Sequence, residues 1–162
     1  MNKFIISEIE ERKRFNQFLV EEKKQGIIFI RKISEPGDMA GYDVSINSGN
    51  TICLVEIKVR DFKIDKYEEG LLEKEKVERL FLYTKEMKEK YNIDEIKNLY
   101  IAFFHDGYAI WDLGLPPCNL VRIPLPRTTM GDNTKVLTDC YLYDFCDAIE
   151  VKRYNSPLDS ID

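Results

Sequence analysis

Two segments that read as strands, Tyr42 to Asn47 with an apolar-polar alternation and the largely apolar Thr51 to Arg60, flank the turn-forming run Asn47-Ser48-Gly49-Asn50. This pattern points to an antiparallel hairpin. In the second segment Cys53, Val55, Ile57 and Val59 line one face, while Glu56 and Lys58 share the other. In the first, Tyr42, Val44 and Ile46 oppose Asp43, Ser45 and Asn47. A two-residue loop at Ser48-Gly49 pairs Asn47 with Asn50, Ser45 with Ile52 and Asp43 with Leu54. Asp43 then joins the face of Glu56 and Lys58, with Glu56 its diagonal neighbour roughly 7 to 8 Å away. A four-residue loop keeps this parity, whereas a three-residue loop or a bulge reverses it.

Two carboxylates and an ammonium group on a largely apolar strand pair need compensation, because unpaired buried charge is expensive. A divalent cation would supply it. Carboxylate oxygens suit Mg²⁺ or Mn²⁺, and Mg²⁺ commonly takes one or two carboxylates plus waters and phosphate oxygens. Lys58 would add positive charge where an attacking hydroxide or a developing phosphorane must be stabilised. The plainer reading is a Glu56-Lys58 pair on a solvated strand face with Asp43 near a turn.

With Asp43 in the second strand of such a hairpin region and Glu56-Ile57-Lys58 in the third, flanked by apolar residues, the chain resembles the PD-(D/E)XK nuclease superfamily, the restriction-endonuclease-like fold. The resemblance spans about Ser7 to Leu113 in the order of elements and is specific at the strand motif. Gly41 and Tyr42 precede Asp43, so the proline of the family pattern is absent. The resemblance implies an α/β fold: a mixed, largely antiparallel sheet flanked by helices in the order helix, three strands, helix, strand. It further implies that Asp43 and Glu56 hold Mg²⁺ (or Mn²⁺), that the Ile57 carbonyl completes the inner shell, and that Lys58 orients or activates the attacking water. The expected activity is hydrolysis of DNA phosphodiester bonds to a 5′-phosphate and a 3′-hydroxyl. A first-helix glutamate often joins such sites, which makes Glu11 the first candidate and Glu8 the second. Lys76, in the second helix, is an auxiliary candidate for facing the scissile phosphate, against a solvent-facing alternative.

Composition is compatible with this reading. The chain has 162 residues, 44% of them hydrophobic and 12% aromatic, enough for one proper core. No apolar run approaches the roughly 18 residues of a membrane span, and the charged start MNKFIISEIEERK lacks a signal-peptide core. A cytoplasmic protein without membrane contact is expected. Cys53, Cys118, Cys140 and Cys146 form no CxxC pair and His105 is the sole histidine, so zinc-ligand spacing is absent and the cysteines read as reduced and structural. His105, beside a turn and without a nucleophilic partner, reads as structural rather than as a general base. The net charge of −5 opposes general nucleic-acid binding, although Lys58, Arg60, Lys63, Lys66, Lys74, Lys76 and Arg79 cluster near the motif. Two other classes therefore stand beside the nuclease: a catalytically inactive protein of the same fold that binds nucleic acid or serves assembly, and a structural interaction protein.

Along the chain, the capping-box pattern Ser7-Glu8-Ile9-Glu10 opens a helix running to about Lys24, with Glu8, Glu11, Phe15 and Phe18 on one stripe. Ile27 to Ile33 reads as the first strand, and Ser34 to Asp38 as a loop. Glu68 to Tyr91 is expected as a helix with the stripe Val77, Leu80, Phe81, Thr84 and Met87. Asn98 to Phe104 and Tyr108 to Leu113 form a hairpin around His105-Asp106-Gly107. The remainder, about 114 to 154, with a turn at Gly131-Asp132-Asn133, reads as a β-rich or irregular extension of the same single domain. It leaves homo-oligomerisation through the aromatic run Tyr141 to Phe145 open, and 155 to 162 form a polar tail.

Overall fold

The computed structural model describes residues 3–23, 28–33, 41–48, 51–126 and 134–154. Among these residues are two α-helices, α1 (Lys3–Lys23) and α2 (Lys74–Tyr91), and nine strands. Six strands form a mixed sheet in the order β1-β2-β3-β5-β6-β9: β1 (Ile28–Ile33), β2 (Val44–Ser48), β3 (Thr51–Val59), β5 (Ile96–Phe104), β6 (Gly107–Asp112) and β9 (Glu150–Arg153). The central pair β3 and β5 is parallel and every other pair antiparallel. A smaller sheet, β4-β8-β7, is built from β4 (Glu69–Glu73), β8 (Lys135–Asp144) and β7 (Asn119–Pro126). The fold is α/β, with mixed sheets flanked by helices.

Period-two alternation along β3 sorts its side chains to two cores. Cys53, Val55 and Ile57 pack with Phe15, Phe18 and Leu19 of α1, while Leu54 belongs to a second core with Val77 and Leu80 of α2. Val44 and Ile46 join the α1 side. A three-layer arrangement results, with β3 and β5 buried between the helices, as a parallel pair requires.

The hairpin register differs from the expected one. Ser48 pairs with Thr51, Asn47 with Ile52, Ser45 with Leu54 and Val44 with Val55. Each β2 residue therefore pairs two positions further along β3 than expected, a slip that preserves facing because the side-chain period is two. The strand also starts later, at Val44, so alternation does not extend back to Asp43 and Tyr42. Tyr42 lies in the α2-side core beside Tyr83, with ring centroids 5.0 Å apart, and not with Val44 and Ile46.

Three further expectations need correction. Helix α1 already includes Lys3, so Ser7 lies inside it and not at its cap. The segment expected to open α2 is β4, which pairs with β8 from Glu69↔Asp144 to Glu73↔Cys140. Its alternation buries Gly70 and Leu72. The buried stripe of α2 is Val77, Leu80 and Thr84, whereas Phe81 is exposed and lies in an apolar surface groove with Leu113, Leu115, Pro116 and Tyr141. The expected loop Ser34 to Asp38 and the turn Gly131 to Asn133 lie outside the described residues.

The extension is strand-rich and bound to the rest. Tyr143 is buried in the α2-side core, Phe145 packs on Trp111 at 5.2 Å between centroids, and Trp111 Nε1 donates to the Asp144 carbonyl at 2.8 Å. Part of the aromatic run thus serves the protein's own core. No helix among the described residues is long and apolar enough to cross a membrane.

Candidate active site at the end of strand β2

The pairing of β2 with β3 ends at Val44↔Val55, so the Ile57 amide lies beyond the last ladder pair. A buried amide needs an acceptor. Asp43 provides it: Ile57 N–H donates to Asp43 Oδ2 at 2.7 Å, and the Asp43 amide donates to the Val55 carbonyl at 3.0 Å. The local interruption of the ladder thus fixes a carboxylate against the backbone between Glu56 and Lys58. The side-chain convergence expected from parity is present, but it rests on this hydrogen bond and not on strand alternation.

Helix α1 contributes from the other side. Its stripe of Glu8, Glu11, Arg12, Phe15 and Leu19 is buried. Arg12 Nη2 donates to Asp43 Oδ1 at 2.8 Å, and Glu11 Oε1 lies 3.5 Å from Lys58 Nζ. The same ammonium is 3.5 Å from Glu56 Oε1. Lys76, in the first turn of α2, reaches that Glu56 oxygen at 3.0 Å and keeps nearly a third of its side chain exposed. Asp43, Glu56, Lys58, Glu11 and Lys76 therefore converge, and Glu8 is buried on the same helix stripe. His105 does not join them; its Nε2 lies 2.8 Å from Asp61 Oδ1 in an exposed pair.

Electrostatics follow from burial and crowding of charge. Burial pushes the Glu11 carboxyl up to about 7, opposed by Lys58 and reinforced by Asp43 and Glu56. Glu56 is likewise raised, chiefly by burial and then by Asp43, with Lys58 and Lys76 acting against. Burial also disfavours the Lys58 ammonium, yet Glu56, Glu11, Glu73 and Asp43 outweigh it and hold its pKa well above an ordinary lysine's. Lys58 is thus a permanent cation at this site.

No protein-family pattern, curated protein or solved structure matches this chain.

Among the described residues no three acidic, cysteine or histidine side chains form a group able to hold a metal ion alone. The donor set nonetheless suits a hard divalent cation. Asp43, Glu56 and Glu11 are buried oxygen donors, and the negative charge of Asp43 raises the proton affinity of both glutamates. Mg²⁺ needs only one or two such carboxylates when water and substrate oxygens fill the other positions.

Two participants escaped the sequence reading, and a third, Arg60, was read only as part of a basic cluster. Arg12 had a visible signal, a charge on the buried stripe with Phe15 and Leu19. Glu73 had none, because it ends the unforeseen β4; its Oε2 is buried without a hydrogen-bond partner, and its carboxyl is lowered because Lys58, its own backbone, Arg60 and Lys76 outweigh burial. Arg60 shares the alternation of Glu56 and Lys58 and donates to the Leu71 carbonyl and to Tyr100 Oη, backing the site with a fixed charge.

Proposed function

We propose that this protein is a metal-dependent nuclease of the PD-(D/E)XK type that hydrolyses DNA phosphodiester bonds. The observation that carries the reading is the meeting of Asp43, Glu56 and Glu11 around the permanently charged Lys58, drawn from α1, the end of β2 and β3. The element order supports it: α1, β1, β2 and β3, then α2 and the parallel β5, with β4 inserted before α2. Asp43 and Glu56, with the Ile57 carbonyl, would hold Mg²⁺ or Mn²⁺. The bound cation would polarise the phosphate and lower the pKa of the attacking water.

The chain's own groups divide the remaining work. Lys58 does not accept a proton; it orients the water and offsets charge developing on the phosphorane. Glu11, with a pKa of about 7 and its carboxylate beside Lys58, can take the proton released by that water near neutrality. Lys76, partly exposed at the start of α2 and 3.0 Å from Glu56, would contact a phosphate oxygen. Cys53, Cys118, Cys140 and Cys146 are free thiols, as a reducing cytoplasm would keep them.

A second reading is a catalytically inactive nuclease-fold protein that binds nucleic acid or serves assembly. It is favoured by the pairing of Asp43 with Arg12 and of Glu56 with Lys76, and by the net charge of −5. Incubation with linear, branched and single-stranded DNA across Mg²⁺ and Mn²⁺ concentrations separates the two. Chelator-sensitive cleavage that is lost in Asp43→Asn and Glu56→Gln supports the enzyme. Retention of DNA without cleavage of any substrate supports the binding protein.

A further inference from the structure

We infer that Arg12 is a positioning residue that sets the affinity of Asp43 for a divalent cation; this rests on the nuclease reading above. The two oxygens of Asp43 are held by groups of different kinds. Oδ2 accepts the Ile57 amide at 2.7 Å, a bond fixed by the backbone where the β2–β3 ladder ends. Oδ1 accepts the Arg12 guanidinium at 2.8 Å, a bond made by a long side chain. The amide cannot withdraw without disturbing β3. The guanidinium can.

A cation approaching Asp43 therefore meets an oxygen already neutralised by a charged donor, and it binds by exchange, not by simple addition. Enclosure makes this competition persistent. The Arg12 side chain is 8% exposed and that of Asp43 10%, so water screens their attraction weakly. Lys76, the other helix-borne counter-ion, is 30% exposed and has solvent to swing into when Glu56 is taken by another partner. Arg12 lies on the buried stripe of α1 and stays near the carboxylate it serves. It keeps Asp43 in place without cation, and it weakens the cation-bound state in proportion.

The test is a Mn²⁺ titration by calorimetry, with a parallel thermal-shift series, on wild type, Arg12→Gln and Arg12→Lys, all without DNA. Arg12→Gln keeps a hydrogen-bond donor but removes the charge, and should bind Mn²⁺ about tenfold more tightly, the order expected for losing one charge-assisted competitor. It should melt lower than wild type without metal and gain more from Mn²⁺. Arg12→Lys keeps the charge but loses the planar fork, and should bind within about two- to threefold of wild type, on the tighter side. If Arg12→Gln does not fold, the Arg12→Lys comparison still decides. Affinity equal to or weaker than wild type in the folded variants overturns this inference and leaves the nuclease reading standing. Absence of Mn²⁺ binding by wild type overturns both.

Discussion

Lys58 on β3 and Glu11 on α1 meet with Nζ 3.5 Å from Oε1, and the same ammonium lies 3.5 Å from Glu56. One cation thus serves two buried carboxylates from separate elements. It is a structural keystone as well as a candidate catalytic group, and the two roles make different demands in mutagenesis.

Lys58→Ala should leave Glu11 and Glu56 buried without their shared counter-ion, at a cost on the order of 3–5 kcal/mol near neutral pH. That loss should shrink in acid, where Glu11 is protonated and the raised proton affinity of Glu56 acts in the same direction, so the melting deficit measured at pH 8 should exceed that at pH 5. Lys58→Arg should recover much of the stability. If it remains folded yet cleaves DNA about 10²-fold more slowly, the site needs the compact ammonium and not charge alone. Turnover by Lys58→Ala at the wild-type rate would remove its catalytic role.

Glu11 predicts a pH dependence of stability. Its folded pKa of about 7 exceeds the ordinary 4.5, so the folded protein binds the proton more tightly than the unfolded chain. The associated stabilisation is full below about pH 4.5 and is lost progressively as pH rises through about 7. It amounts to at most about 3 kcal/mol between the two limits. Glu11→Gln should flatten the denaturant-derived stability across this window and be relatively more stable at pH 8. An unchanged slope would mean that Glu11 is not held protonated by its surroundings.

Lys76 should behave as a substrate contact. Lys76→Met should raise KM for DNA several-fold with a smaller effect on kcat, and lower the salt dependence of binding by about one phosphate contact. A change confined to kcat would instead place Lys76 with the reacting groups.

Gly70 provides a structural check independent of activity. A Cβ there would lie 2.6 Å from Trp111 Cη2, and Trp111 is stacked on Tyr100 with centroids 5.1 Å apart. Gly70→Ala should cost about 1–3 kcal/mol through overpacking. Because Trp111 is the sole tryptophan, its fluorescence should change with the substitution. Wild-type stability and an unchanged spectrum would mean that β4 does not pack on Trp111 as described.

The hairpin, the β5–β6 pair and most of the buried stripes are legible in local periodicity, because the alternation of Cys53, Val55 and Ile57 records which face meets α1. The register was two positions off, since Asn47-Ser48-Gly49-Asn50 offers several plausible turn positions and parity alone does not choose among them. Strand β4 was hidden because Glu-Gly-Leu-Leu-Glu is too short and too rich in helix-tolerant residues to declare itself beside the helical run that follows. Asp43, Glu56 and Lys58 were visible as residue types at a spacing. The stripe position of Arg12 was visible too, but its partner was not, and Glu73 gave no signal, because charge pairing across elements is a property of tertiary structure.

The position of β4 has a consequence for anyone dissecting the gene. Every residue of the charged cluster lies before Leu113, which invites a shortened version ending there. Such a fragment would lack β8, the strand on which β4 depends for its hydrogen bonds, and β9, which closes the open side of β6. It would also strip the Asp144 carbonyl from Trp111 and empty the places of Tyr143 and Phe145. Since β4 leads directly into the helix bearing Lys76, the loss would propagate to the cluster itself. Deletion mapping would then score the C-terminal third as essential although none of its described residues joins the charged cluster, and a working chimaera must transplant β4 and β8 together.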